Sequence, residues 1–391
     1  MSPVRTDVAP RSRPGLPDSG LGMGWEPTVL VLATLLLLSF GLVNLYSASA
    51  FLAQRQSLPD SYYVLRQAAG AVAGLLLLVA CWRIPYTAWR TLAWPMVIGI
   101  WALLIVLILP WTTAIAPEIN GARRWLTLGI TLQPSEFAKV AILVWTAHMA
   151  VKKQEHFRSL SRGMVPFLVV WGLLLVPILL QPDLSTAFVV GLLGGLTLFA
   201  AGARIGHFAF LGLLLAPIAW LQLRTGFRAD RLQGFGDLEL YAGASGYQLR
   251  QSLIALGSGG ATGVGFGEGR QKFGFLPEPH NDFIFSMIGE EWGLFGVGIL
   301  IVLFLTIIVV GFRIARHAPD LFGQLLAIGF TNLIALHATL HMAVGLGVVP
   351  PTGLPLPLVS YGRSFLLVTL IGIGILLSVA RGDPAARAHH A

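Results

Sequence analysis

The chain has 391 residues, 55% of them hydrophobic and only 11% charged, with a mean hydropathy of +0.75 and a formal net charge of +8. Ordinary soluble domains carry roughly 25% charged residues, so this composition excludes a soluble globular enzyme and puts most of the chain in lipid. The single cysteine, Cys81, excludes an intramolecular disulfide, which leaves helix packing to hold the fold.

Residues 1–26, with Pro, Ser, Gly and three Arg, read as a disordered cytoplasmic tail. The apolar run after Glu26 is much longer than the ~7–15-residue core of a cleavable signal. A spanning helix needs ~20 mostly apolar residues. Candidates occur near 27–50, 64–82, 91–110, 134–151, 164–181, 184–202, 206–222, 284–312, 322–349 and 364–380. The expected fold is therefore all-α and polytopic, with ten transmembrane helices inside 27–381 and a short C-terminal tail at 382–391. A large loop at 223–283 separates the seventh and eighth spans, with a short amphipathic segment around 246–257. The fifth and sixth spans leave room only for a very short turn at Gln181-Pro182-Asp183.

Short loops rich in Lys and Arg stay in the cytoplasm. With the N-terminus inside, the cytoplasmic segments hold fourteen such residues, against five on the other side once the 223–283 loop is left out, because long loops translocate largely regardless of charge. Both termini are thus expected on the cytoplasmic side of the membrane, with the 223–283 loop outside. The net positive charge follows from this topology and from anionic lipid. Cations scattered over loops on both sides of a membrane do not build a nucleic-acid surface, and no P-loop, zinc spacing or dinucleotide fingerprint is present. The chain also has no internal repeat of the kind many secondary transporters carry.

Ionisable residues inside spans are costly and face a partner or a cavity. Glu136 and Lys139 are three apart on the fourth span, on one helical face, and fit either a packing ion pair or a patch that holds an anionic headgroup. Asp183 opens the sixth span, where a carboxylate also complements the helix dipole. Asp282 precedes the eighth span in the same way. It stands where a polar, glycine-rich stretch meets an apolar helix, within reach of both a polar and a lipid-borne substrate. Glu290 lies ~12 Å further along that helix, and of Glu290 and Glu291 one is expected at the cavity and one in a helix contact. His337 and His341 have the i, i+4 spacing of a zinc-binding helix. They lack an evident third ligand and read rather as two histidines hydrogen-bonded between helices than as a metal site.

Five ordered stretches resemble one family. They are GARRWLTLGITLQPSEFAK at 121–139, QPDLSTAF at 181–188, GYQLRQSLIALGSGG at 246–260, KFGFLPEPHNDFIFSMIGEEWGLFG at 272–296 and PPTGLPLPLVSYG at 350–362. The chain resembles the SEDS glycosyltransferases of shape, elongation, division and sporulation, and the FtsW branch more than the RodA branch. The resemblance implies polymerisation of lipid II, an undecaprenyl-pyrophosphate-linked disaccharide pentapeptide, into peptidoglycan, with inversion at the donor's anomeric carbon. It implies Asp282 as the catalytic residue. A carboxylate there suits a general base that takes the acceptor hydroxyl proton. Substrate contacts are expected from Glu136, Lys139, Arg66, Arg123, Asp183, Lys272, His280 and Ser360, the cations facing the pyrophosphate leaving group. A divalent cation such as Mg or Mn, bridging pyrophosphate to Asp282 or Glu136, is compatible with this chemistry, without a preformed cage. A class B penicillin-binding transpeptidase and other division or elongation proteins are the partners implied. A lipid II flippase and a non-catalytic scaffold are the rival readings. The chain departs from the family pattern at Arg363 and Phe365 after SYG, at Ser185, and at His337 and His341.

Overall fold

The structure, a computed structural model, describes residues 24–118, 121–127, 131–157, 159–209, 212–213, 220, 235–236 and 244–382. Its helices are α1 (Trp25–Arg55), α2 (Tyr62–Arg83), α3 (Trp89–Ile108), α4 (Pro134–Lys153), α5 (Val165–Leu180), α6 (Leu184–Ala200), α7 (Ala244–Gly259), α8 (Ile284–Arg316), α9 (Leu321–Gly345) and α10 (Arg363–Arg381). A two-stranded antiparallel hairpin, β1 (Leu126–Thr127) with β2 (Thr131–Leu132), precedes α4, and Leu126 pairs with Leu132. Composition gave no hint of this hairpin, since two-residue strands leave no periodicity.

Nine of the ten expected spans are helices within a few residues of their expected limits. The tenth, 206–222, lies largely outside the described residues, as do residues 1–23 and 383–391 of the tails expected at 1–26 and 382–391, whereas Trp25 and Glu26 already belong to α1. Among the described residues seven helices are long and apolar enough to cross a membrane by length and composition, and α6 is apolar but shorter. Among the described helices α7 is the next after α6, and it is not the expected seventh span. It covers the segment expected to be amphipathic and packs on α8 and α9, where Ser252 Oγ lies 2.6 Å from Ser286 Oγ and donates to the Gly345 carbonyl at 2.8 Å.

Helix α4 is the hub of the bundle, with fourteen of its twenty residues buried. It packs on α3, α6, α9 and α10. A helix enclosed on most sides by protein can carry Ser135, Glu136 and Lys139 without exposing them to hydrocarbon. The lipid-facing helices look different: α2 and α3 expose Leu65, Val72, Leu76, Ile98 and Trp101. Small residues bring α2 and α10 together: Gly74 lies under Leu370 and Gly374 under the Leu78 backbone, the close-approach packing that lipid-embedded helices favour.

The turn between α5 and α6 is as short as the sequence requires. Asp183 is the N-cap of α6 and accepts from the Thr186 amide at 3.2 Å. Arg124 clamps the turn by donating to the Gln181 and Pro182 carbonyls at 3.0 and 2.8 Å.

Helix α8 breaks its own hydrogen-bond ladder at Gly293, whose φ of 62° and ψ of −156° only glycine adopts without strain. The break frees the carbonyls of Glu290 and Glu291 and the amides of Leu294 and Phe295. The glycine-rich stretch after α7 satisfies all four. Val264 and Gly265 amides donate to Glu290 and Glu291 at 3.0 and 3.1 Å, and Leu294 and Phe295 donate to Gly260 and Ala261 at 3.0 and 3.2 Å. Irregular backbone can lie ~14 Å along a membrane helix because protein, not lipid, surrounds it. The glycines 259–269 thus form an insertion docked on α8 rather than a free loop.

Candidate active site

Asp282 sits outside α8, whose N-cap is Phe283. Its amide donates to the Glu278 carbonyl at 3.1 Å, and the residue is half-buried. Asp282 Oδ2 faces Gly353, where an added Cβ would come within 3.8 Å and where φ is +71°. The segment 350–365 is the common support of this region. Ser360 Oγ donates to the Asn281 carbonyl at 2.7 Å and accepts from the Leu356 amide at 2.9 Å. The Tyr361 amide donates to the His280 carbonyl at 3.0 Å. Gln67, buried on α2, holds the same segment from the other side, donating to the Ser360 carbonyl at 3.0 Å and accepting from the Gly362 amide at 3.2 Å. Backbone bonds on both sides fix where the Asp282 carboxylate can point.

His280 is buried, its ring against Tyr63 and Tyr361 with centroids 4.9 and 5.6 Å away. Burial lowers its pKa to about 4, although Glu278 Oε2 lies 3.7 Å from Nε2. The imidazole is therefore neutral at neutral pH.

One turn deeper the segment 350–365 reaches the second group of expected residues. Lys139 Nζ is 2.7 Å from Glu136 Oε2, with the two residues 0% and 4% exposed. The ammonium also lies 4.7 Å from the Phe365 ring centre, and His337 stacks on the other side of that ring at 4.1 Å. His337 and His341 place Nδ1 on the Pro355 and Leu354 carbonyls at 3.4 and 2.8 Å. This is the helix-contact alternative of the sequence reading. Among the described residues no group of three or more His, Cys, Asp or Glu is placed to hold a metal ion.

The structure does not bring all expected residues to this place. Lys272 Nζ is satisfied by Glu291 at 2.8 Å, Ser47 Oγ at 2.9 Å and the Gly267 carbonyl at 2.6 Å. An ammonium has three protons to give, and here all three tie the docked insertion to α1 and α8. Glu290 accepts from the Arg270 and Gln271 amides at 2.8 and 3.3 Å. Both acids thus anchor the insertion, and the division of roles expected for Glu290 and Glu291 does not occur. Arg123 donates to the Leu109 carbonyl at 3.3 Å. Asp183 caps α6 and faces Gln133 Nε2 at 3.4 Å. Arg66 is exposed, with its guanidinium 4.6 Å from the Tyr62 ring centre. Gln67, Tyr63 and Tyr361 were missed by sequence reasoning. An uncharged Gln inside an otherwise apolar span was the available signal for the first, because a buried amide needs partners.

A bundle of apolar helices that buries a charged pair, with Asp282 just ahead of one of them, defines a polytopic membrane protein. A family model described as cell cycle protein, covering FtsW, RodA and SpoVE, matches residues 28–384. The chain is 39% identical to a protein of Trichlorobacter lovleyi named probable peptidoglycan glycosyltransferase FtsW, over 90% of this chain and 93% of that one. It is 38% identical to stage V sporulation protein E of Bacillus subtilis, over 90% and 96% of the two chains. Among solved structures it is similar to a chain of a peptidoglycan synthase complex described as coordinating polymerization and crosslinking, with TM-score 0.74, 30% identity and coverage of 90% and 96%. The rod shape determining protein RodA of Thermus thermophilus matches with TM-score 0.66, 29% identity and coverage of 93% and 98%. The chain belongs to the FtsW/RodA/SpoVE family and is a multi-pass membrane protein.

Proposed function

We propose that this protein is a peptidoglycan glycosyltransferase of the FtsW type that polymerises lipid II at the outer face of the bacterial inner membrane during cell division. The observation that carries the reading is Asp282, half-buried at the boundary between polar backbone and an apolar helix and aimed at the Gly353 turn. In this reading Asp282 takes the proton from the acceptor's sugar hydroxyl as that oxygen attacks the donor's anomeric carbon. The new glycosidic bond forms as the bond from that carbon to the lipid pyrophosphate breaks, and the pyrophosphate leaves with the electron pair. The Tyr361 amide and Ser360 Oγ support the base by holding the His280 and Asn281 carbonyls, the two that precede it.

A divalent cation carried in by the pyrophosphate would be met by Asp282 rather than by Glu136, whose carboxylate lies 2.7 Å from Lys139 Nζ. A transpeptidase of the class B penicillin-binding type is the expected partner. The family membership and the relatives' names support the reaction class. The test is polymerisation of purified lipid II by the detergent-solubilised protein with a partner made unable to polymerise. Wild type should build long glycan strands and Asp282→Asn should build none while the complex still assembles. Strands of equal length from both would remove Asp282 as the base, and no strands from wild type in an otherwise validated assay would favour a flippase.

A further inference from the structure

The proposed reaction releases a lipid pyrophosphate, whose charge calls for cations, yet the cation named first by sequence is not available to it. Lys139 is fully buried and engaged by Glu136 on one side and the Phe365 ring on the other. Lys272 has no proton left to give, and Arg123 is turned to the Leu109 carbonyl.

Two arginines lie on the α2–α10 seam. Arg363, the first residue of α10, lays its side chain across α2 at Gly70, where an added Cβ would lie 3.1 Å from Arg363 Cγ. Arg66 is four residues before Gly70 on α2, hence on the same face and one turn toward the outer end. Neither forms an ion pair among the described residues, whereas every ion pair there that involves an arginine uses Arg90 or Arg313. Gly70 matters because its missing side chain leaves the groove in which the Arg363 stem lies. A cation in the first turn of a helix opposes the macrodipole, so local stability does not account for Arg363. A bound anion beside it would relieve that penalty.

We propose that Arg363 and Arg66, on the α2–α10 seam, form a binding site for a phosphate-bearing lipid headgroup. Resting on the function proposed above, that headgroup is the pyrophosphate of the lipid-linked donor. The same segment, 350–365, carries Arg363 at one end and faces Asp282 with Gly353 at the other, so it spans base and leaving-group site. Guanidinium forks grip phosphate oxygens bidentately, and Arg66 and Arg363 each lie within the first turns of an apolar helix, α2 and α10. An anionic phospholipid offers the same chemistry, so the experiment has to separate the two sources.

The full chain in phosphatidylcholine nanodiscs is titrated with undecaprenyl pyrophosphate, and separately the nanodiscs are doped with phosphatidylglycerol. Wild type is compared with Arg363→Gln, Arg363→Lys, Arg66→Gln and the double Gln variant. The expected result is about tenfold weaker pyrophosphate binding for each single Gln variant and partial retention by Arg363→Lys. Loss of pyrophosphate binding alone identifies the donor as the ligand. Parallel loss of phosphatidylglycerol binding identifies a general phosphate site. Arginine-dependent phosphatidylglycerol binding in a wild type that ignores the pyrophosphate would keep the site but count against the donor reading. Unchanged affinity for both ligands in Gln variants that melt like wild type would overturn the site.

Discussion

At the residue scale the buried Glu136–Lys139 pair and His280 behave as opposites. The pair keeps its charges because each partner neutralises the other inside a helix bundle, and removing one leaves a buried charge that costs ~3–5 kcal/mol. Lys139→Met should therefore lower the melting temperature strongly, and adding Glu136→Gln should restore most of the loss. A Lys139→Met protein that melts like wild type would place the pair in a wetter site than its 0% and 4% exposure implies. His280 instead avoids charge. Its native pKa of about 4 lies below the ordinary value of 6.5, so the unfolded chain takes up the proton first. The stability this residue contributes is complete above pH 6.5, declines as pH falls toward 4, and is then lost, in total ~3 kcal/mol. His280→Gln should flatten that part of the melting temperature against pH profile, which scanning fluorimetry at pH 7 and pH 4.5 would read.

At the element scale the notable device is the backbone exchange between α8 and the glycine-rich insertion. Its four bonds close only because Gly293 takes a conformation outside the helical region and because a Cβ there would overlap the amide of Gly263. Gly293→Ala should therefore cost ~1–3 kcal/mol from backbone strain alone and loosen the 259–269 segment. The measurement is amide hydrogen exchange, which should accelerate at Val264 and Gly265 before it does in α4. Lys272→Ala should release the same segment from the other end, by leaving Glu291 buried and unpaired. Equal exchange in variant and wild type would mean that the insertion is held by something other than these contacts.

At the scale of the whole molecule, the charge asymmetry of the loops predicts orientation. Alkaline phosphatase fused after Gly382 should stay inactive in the cytoplasm, and fused after Ser57, between α1 and α2, it should be active. The reverse pattern would invert the topology and put Asp282 on the wrong face for an external polymerase. The helices themselves were legible in the sequence because a segment that crosses lipid must satisfy its backbone internally and be apolar over ~20 residues. Both conditions are local, and so is the short turn at 181–183. Asp282 at a helix mouth and Glu136 three residues before Lys139 were legible for the same reason, as spacings along one element.

What depends on contacts between distant segments was not legible. Nothing local says that Gly260 and Ala261 will repair a break at Gly293, that Glu290 and Glu291 will both be spent on that repair, or that Lys272 will meet Ser47 from α1. Gln67 and Arg363 gain meaning only once α2 and α10 are packed together. The sequence by itself therefore determined the solvent of this protein, its helices and the acidic residue at its mouth, because hydropathy and helical period act within one segment. Only the tertiary structure decided which charges are already neutralised by partners and which remain open to a substrate, because pairing is a property of distances across the bundle.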